Sequence, residues 1–251
     1  MEIVLFRNIP TMLIIPLMIK KSKIPFFGNN KFILWFRSFI GAIAMMAMFY
    51  TFKAMFLTDA ITIHNLSPFF IFLLAGIFLK EKLSLRQLPF FIFAFLGGLL
   101  VIKPGLRLDI LPALIALVAA IGIAITHVNL RHLRLTDHYL VIVNYFSYII
   151  GLVSLTILLV QKSFQFPNLS DCLVLILLGG IGLLAQIALT KAYQLAPANL
   201  VSLYSYSKII FASVFGLLFF KEIPGILTII GAFFIILGGY LNYRFKSNKK
   251  I

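Results

Sequence analysis

Lys208 stands in the run Leu203–Ala212, LYSYSKIIFA, and no other acid or base lies within ten residues of it on either side. An ammonium at such a place must face a water-filled cavity or a partner, because hydrocarbon solvates charge poorly. Its neighbours Tyr204, Ser205, Tyr206 and Ser207 carry hydroxyls. On a helix Tyr204 and Ser205, four and three residues earlier, share its face. That set suits a solute bearing a carboxylate, a phosphate or another anionic group. The bland alternative is a lysine bonded to backbone carbonyls or held neutral. Two more cations, Arg7 and Arg37, fall inside apolar runs. Either can line a cavity, and either can reach the headgroups along its stem. His64 sits beside Asn65 and four residues before Pro68. A proline frees a carbonyl one turn earlier, and such broken turns build binding sites. His64 also suits proton transfer, or simple helix packing.

The acids are placed differently. Glu2, Asp59, Glu81, Asp109, Asp137, Asp171 and Glu222 all fall at the edges of apolar runs or between them. A proton-coupled exporter of organic cations needs a carboxylate at depth that binds the cation and titrates, so this pattern argues against that mechanism. A membrane-embedded enzyme needs clustered acids or a Ser/His or His/Asp pair at depth, and the sequence offers no such pair. His127, His132 and His138 have spacings of five and six, which match no common metal motif. No catalytic residue, metal site or cofactor is expected.

These residues must be positioned by helices in lipid. The chain has 251 residues, 62% hydrophobic and 12% charged, with 27 phenylalanines. A soluble domain has about 45–50% apolar and about 25% charged residues. The apolar residues form nine runs long enough to cross roughly 30 Å of hydrocarbon: 1–19, 32–52, 60–79, 86–102, 110–129, 139–160, 172–192, 198–220 and 225–243. The expected fold is an all-α polytopic membrane protein. A net charge of +15 raises nucleic acid as a partner. The lysines and arginines nevertheless cluster between runs, with fourteen on one side of the membrane and five on the other. That is the positive-inside pattern, and it places the C-terminus in the cytosol. The expected partners are membrane lipid and a small organic solute, with a homodimer left open. The single cysteine, Cys172, allows no internal disulfide. A cleavable signal peptide is not expected either.

The chain also repeats itself. Lys80-Glu81 recurs as Lys221-Glu222, and Gly97-Gly98 recurs as Gly238-Gly239, both 141 residues later. An odd number of spans separates the copies, so they run in opposite directions through the membrane. Inverted repeats of this kind build secondary transporters, with the solute near the midplane. The expected division is 1–106 and 107–251. The two glutamates are expected to meet the positive ends of the helices that follow them. The glycine pairs are expected to let helices approach closely.

Several stretches together resemble the EamA-type branch of the drug/metabolite transporter superfamily. They are RSFIGAIAMMAMFYTFKAMFLTDAITIHNLSPFFIFLLAGIFLKEKLS, FLGGLLVIKPG, KAYQLAPANLVSLYSYSKIIFASVFGLLFFKE and GAFFIILGGY. The opening EIVLFRNIPTMLIIPL resembles the family's second helix rather than its first. The resemblance implies ten helices in two inverted five-helix repeats and alternating access to a central cavity in a bacterial inner membrane. It also implies an organic solute such as an amino acid, a nucleotide-type compound or an S-adenosylmethionine-like compound. With the first helix absent, nine spans are expected and transport competence comes into question. A remnant or partner subunit that does not transport is the second reading, and a membrane-embedded enzyme the third. The candidate solute-binding residues are Lys208, Tyr204, Tyr206, Ser205, His64, Asn65, Arg7 and Arg37.

Overall fold

The computed structural model describes residues 2–55, 57–81, 85–102, 110–162, 167–221 and 225–247. The described residues fold as eleven α-helices and one 3-10 turn. The helices are α1 (Glu2–Lys21), α2 (Lys31–Ala54), α3 (Leu57–His64), α4 (Ser67–Phe78), α5 (Leu88–Ile102) and α6 (Ile110–Leu133). They continue with α7 (Tyr139–Val160), α8 (Leu169–Leu195), α9 (Ala198–Tyr204), α10 (Ser207–Phe220) and α11 (Ile226–Ser247). Among the described residues, six stretches are long and apolar enough to cross a membrane, and Leu88–Leu100 and Ile226–Asn242 are shorter apolar helices. Large apolar side chains such as Leu177, Leu184, Phe219 and Ile229 are more than 60% exposed. In water such a surface would aggregate; in a bilayer it meets lipid tails. The protein is an all-α, multi-pass membrane protein.

Seven of the nine expected spans are single helices. The other two are broken. The run 60–79 is split at Asn65-Leu66 into α3 and α4, and the run 198–220 at Ser205-Tyr206 into α9 and α10. Pro68, in the first turn of α4, explains the first break, since it has no N–H to continue the ladder. The second break has no proline, and a run of serines takes its place. Ser202 Oγ donates to the Asn199 carbonyl at 3.1 Å, Ser205 Oγ to Val201 at 3.3 Å and Ser207 Oγ to Tyr204 at 2.7 Å. Hydroxyls that bond back to the carbonyls of the preceding turn bend helices. The backbone there tightens to bonds three residues back, from Ser205 N to Ser202 O and from Tyr206 N to Leu203 O.

Two compact units form. The first is Met1–Ile43 with Ile125–Ala196, and the second is Ala44–Ala124 with Pro197–Ile251. Each unit draws on both halves of the sequence, so compact unit and sequence repeat are different partitions of the chain. In the first unit α1 packs against α7 and α8. Its loops are tied by Asp137, whose carboxylate accepts from Asn29 N at 2.6 Å, Asn30 N at 3.1 Å and Thr136 Oγ1 at 2.7 Å. Gly28 has φ +64°, and a β-carbon there would collide with that carboxylate.

In the second unit α5 lies along α11, and α4 meets α9. A β-carbon on Gly97 would stand 2.5 Å from the Gly231 carbonyl oxygen, and one on Gly238 would stand 2.7 Å from that of Phe90. Glycine is what lets these two backbones touch. The buried core beside them contains Phe72, Phe91, Ala94, Leu203, Tyr206, Ile209 and Ile235.

Four lysines close helices with positive φ: Lys23 at 53°, Lys80 at 50°, Lys162 at 49° and Lys221 at 57°. A non-glycine residue there costs about 1–2 kcal/mol. A cation also suits the negative end of the helix just finished.

Candidate functional site

The two broken helices of the second unit meet at their breaks. Tyr206 is fully buried, and its hydroxyl donates to the main-chain carbonyl of Asn65 at 2.9 Å. The two residues are 141 apart, the same interval that separates the sequence copies. The bond satisfies a carbonyl that the first break leaves without a helical partner. Four helix ends therefore gather in this unit. The C-termini of α3 and α9 present carbonyls, and the N-termini of α4 and α10 present the positive ends of their dipoles.

Lys208 is the second residue of α10 and is exposed. Its charge lies close enough to act on His64. A lysine in the first turn of a helix is disfavoured by the dipole, and in a membrane by desolvation as well. Both penalties fall if an anion sits beside it, because the same anion is attracted to the helix end.

His64 is 6% exposed, and its Nε2 lies 3.0 Å from Thr51 Oγ1. The Thr51 hydroxyl already donates to the Met48 carbonyl at 2.8 Å. It therefore accepts from His64, which puts the imidazole proton on Nε2 and leaves Nδ1 as an acceptor. That Nδ1 is buried with no partner, and so are both side-chain atoms of Asn65. Phe52 holds the imidazole edge-on at 5.7 Å. Buried polar atoms are normally bonded; here one acceptor and one whole amide are left over at the first break.

The second unit thus holds six of the eight residues expected from sequence: His64, Asn65, Tyr204, Ser205, Tyr206 and Lys208. The hydroxyls of Ser205 and Tyr206 are spent on the helix breaks. Tyr204, 44% exposed, ends α9 beside Gly239. Arg7 and Arg37 belong to the first unit. Arg7 is half-buried, with its carbonyl over Gly179 of α8. Arg37 is 1% exposed, so the expectation that its stem reaches the headgroups does not hold. Its guanidinium lies instead under the Phe146 ring, 4.5 Å from the centroid. Sequence reasoning missed Thr51 and Phe146. Each is an ordinary residue of an apolar run, and only the packing of separate helices gives it a role.

Glu81 also differs from expectation. Its carboxylate reaches a helix other than the one that follows it in the chain. Oε1 accepts the Ala198 N–H at 3.1 Å, capping α9. The physics is the expected one, a negative charge at a helix N-terminus, but the helix is from the other half of the sequence. The corresponding Glu222 lies outside the described residues. In the first unit a cavity of about 530 Å³ opens between α1 and α8, lined by Glu2, Phe6, Asn168, Asp171 and Leu178 among others. None of the eight expected residues lines it.

Comparison with known proteins gives this geometry a context. The model of the EamA-like transporter family matches residues 1–103 and again 110–244. A mouse protein named solute carrier family 35 member G1 is 35% identical over 94% of this chain and 68% of its own length. The pseudopaline exporter CntI of Pseudomonas aeruginosa is 30% identical over 94% of this chain and 83% of its own. A solved crystal structure superposes with a TM-score of 0.82 at 15% identity, covering 94% of this chain and 86% of that one; at that identity the likeness is one of fold. With matches across both halves and nearly its whole length, this chain belongs to the EamA-like transporter family.

Proposed function

We propose that this transporter moves a small organic solute with an anionic group, either an anion or a zwitterion, by alternating access of two inverted repeats, 1–106 and 107–251. The observation that carries the substrate class is Lys208, an exposed cation at the start of α10 inside a membrane segment. Its charge and the helix dipole both attract an anion, and no carboxylate of the sequence lies within ten residues of it. The leftover acceptors of the same unit, His64 Nδ1 and the Asn65 carboxamide oxygen, suit an amine or hydroxyl on the same solute. Tyr204 and Ser205 complete this candidate site, and Tyr206 holds its two halves together. Arg7, in the first unit, is a separate candidate for a solute contact.

The repeat reading is supported by three pairings at or near the same interval. The helix breaks at Asn65 and Tyr206 are 141 residues apart. The glycine crossings at Gly97 and Gly238 are also 141 apart. The lysines of positive φ pair as 23 with 162 and 80 with 221. The family model's double match, 1–103 and 110–244, runs in the same sense. The distribution of lysines and arginines supports placing the basic side and the C-terminus in the cytosol, and the membrane in this reading is a bacterial inner membrane.

The test is a flux screen in proteoliposomes with labelled acidic, zwitterionic and cationic amino acids and nucleotides, in both directions, with and without a pH gradient. The reading expects flux for solutes with a free carboxylate or phosphate and none for purely cationic ones. Flux restricted to cations would refute the substrate class. No flux for any solute, from a protein that reconstitutes well, would favour the non-transporting reading.

A further inference from the structure

Arg37 heads the fully buried large side chains of the described residues. It lies seven residues into α2, and its Nε and Nη1 have no hydrogen-bond partner. Ser38, beside it, is 0% exposed, and its hydroxyl also has no partner. The Phe146 ring of α7 covers the guanidinium at 4.5 Å. A cation–π contact offsets only part of what it costs to bury an unpaired cation.

The unit has no acid to spare for it. Its acids are Glu2, Asp137 and Asp171. The oxygens of Asp137 are taken by Asn29, Asn30 and Thr136. Glu2 and Asp171 line the cavity between α1 and α8. The nearest turn of α2 shapes the seat of that ring. Gly41, four residues on and on the same face, leaves the seat that the Phe146 ring fills; a β-carbon there would stand 3.0 Å from its Cε2 and 3.4 Å from Thr126 Cγ2.

We propose that Arg37 is a receptor for an oxyanion from outside the protein, a carboxylate or a phosphate, and that Phe146 is its cover. When the ring turns away, the planar guanidinium presents donors at the spacing of carboxylate or phosphate oxygens. The site is separate from Lys208 and does not depend on it. Its anion can come from two sources. One is a free solute. The other is the phosphate of an anionic lipid, since six residues of helix put Arg37 about 9 Å from the start of α2.

The experiment uses the full chain in phosphatidylcholine nanodiscs, with unfolding temperature read from Trp35, the single tryptophan. Two additions are compared at constant ionic strength: succinate in the buffer, and phosphatidylglycerol in the disc. The wild type should gain several degrees with at least one of them, as expected for an additive well above its dissociation constant. A response to succinate assigns the solute source, and a response to phosphatidylglycerol the lipid source. Arg37→Met should lose the part of the gain that Lys208→Met retains. Phe146→Leu, which opens the cover and keeps the charge, should reach half the gain at a several-fold lower concentration. This last comparison stands even if Arg37→Met does not fold. The proposal is overturned if neither addition stabilises the wild type, if Arg37→Met gains as much, or if Phe146→Leu responds at an unchanged concentration. A gain lost in Lys208→Met and kept in Arg37→Met would also overturn it, while leaving the Lys208 site intact.

Discussion

The crossing of α5 and α11 gives a sharp test of the packing. A β-carbon on Gly97 would stand 2.5 Å from the Gly231 carbonyl oxygen and 2.9 Å from Phe234 Cβ. Ordinary contact begins at 3.4 Å, so the two backbones must part by about 0.9 Å. Neither neighbour is the end of a flexible side chain, so the whole crossing must shift. Overpacking of this kind costs about 1–3 kcal/mol. For a chain of this size that corresponds to a loss of roughly 2–10 °C in unfolding temperature. Gly180 of α8 is the control. A β-carbon there meets nothing within 4 Å, and alanine has better helix propensity by up to about 1 kcal/mol. Gly97→Ala and Gly180→Ala should be measured side by side in the same lipid or detergent, by Trp35 fluorescence during heating. The first should fall and the second should hold or rise. If both variants unfold at the wild-type temperature, or if Gly180→Ala falls as far as Gly97→Ala, the close α5–α11 crossing is wrong.

Two further predictions concern helix ends. Glu81→Ala removes the cap of α9 and should cost about 0.3–1 kcal/mol, seen as faster hydrogen exchange at Ala198–Val201 with little change elsewhere; Glu81→Gln should lie between. His138 caps α7, its Nδ1 accepting the Leu140 N–H at 3.3 Å. Burial, and then the charge of Lys191, hold its pKa below the usual 6.5. The folded state then binds fewer protons than the unfolded chain, so this contribution is complete above pH 6.5 and is lost as pH falls below it. Asparagine also caps helices, so His138→Asn should match the wild type at pH 8 and lose less stability between pH 6.5 and 5. Equal acid sensitivity in the two proteins would remove His138 from the account.

How much of this was legible in the sequence differs from residue to residue. Span number and helical class follow from apolar run length, because hydrocarbon thickness sets a minimum that few other structures meet. The first break was legible in Pro68, whose missing N–H is a local fact. The second was not, because Ser202, Ser205 and Ser207 act by bonding back to carbonyls, and serines in a helix do so only where the fold allows. The ring proton of His64 depends on Thr51, thirteen residues away, whose own hydroxyl is already committed to Met48. Arg37 read either as a cavity residue or as a surface anchor, because its place near a helix start permits both. What buries it is Phe146, from a helix more than a hundred residues later, seated by Gly41. Glu81 was expected to serve the next helix in the chain and serves one from the other half. Local rules found these residues; tertiary pairing decided what each one touches.

The central claim is that Lys208 gives this transporter its preference for an anionic group. The direct measurement is flux in proteoliposomes of the best solute from the screen, compared among wild type, Lys208→Arg and Lys208→Met at equal reconstituted amounts. Loss of a charged contact of about 1.5–3 kcal/mol corresponds to roughly a 10–100-fold fall in flux at low solute concentration. The account predicts that fall for Lys208→Met, partial retention for Lys208→Arg, and an unchanged fraction of folded protein for both. Wild-type flux from a folded Lys208→Met protein would contradict it.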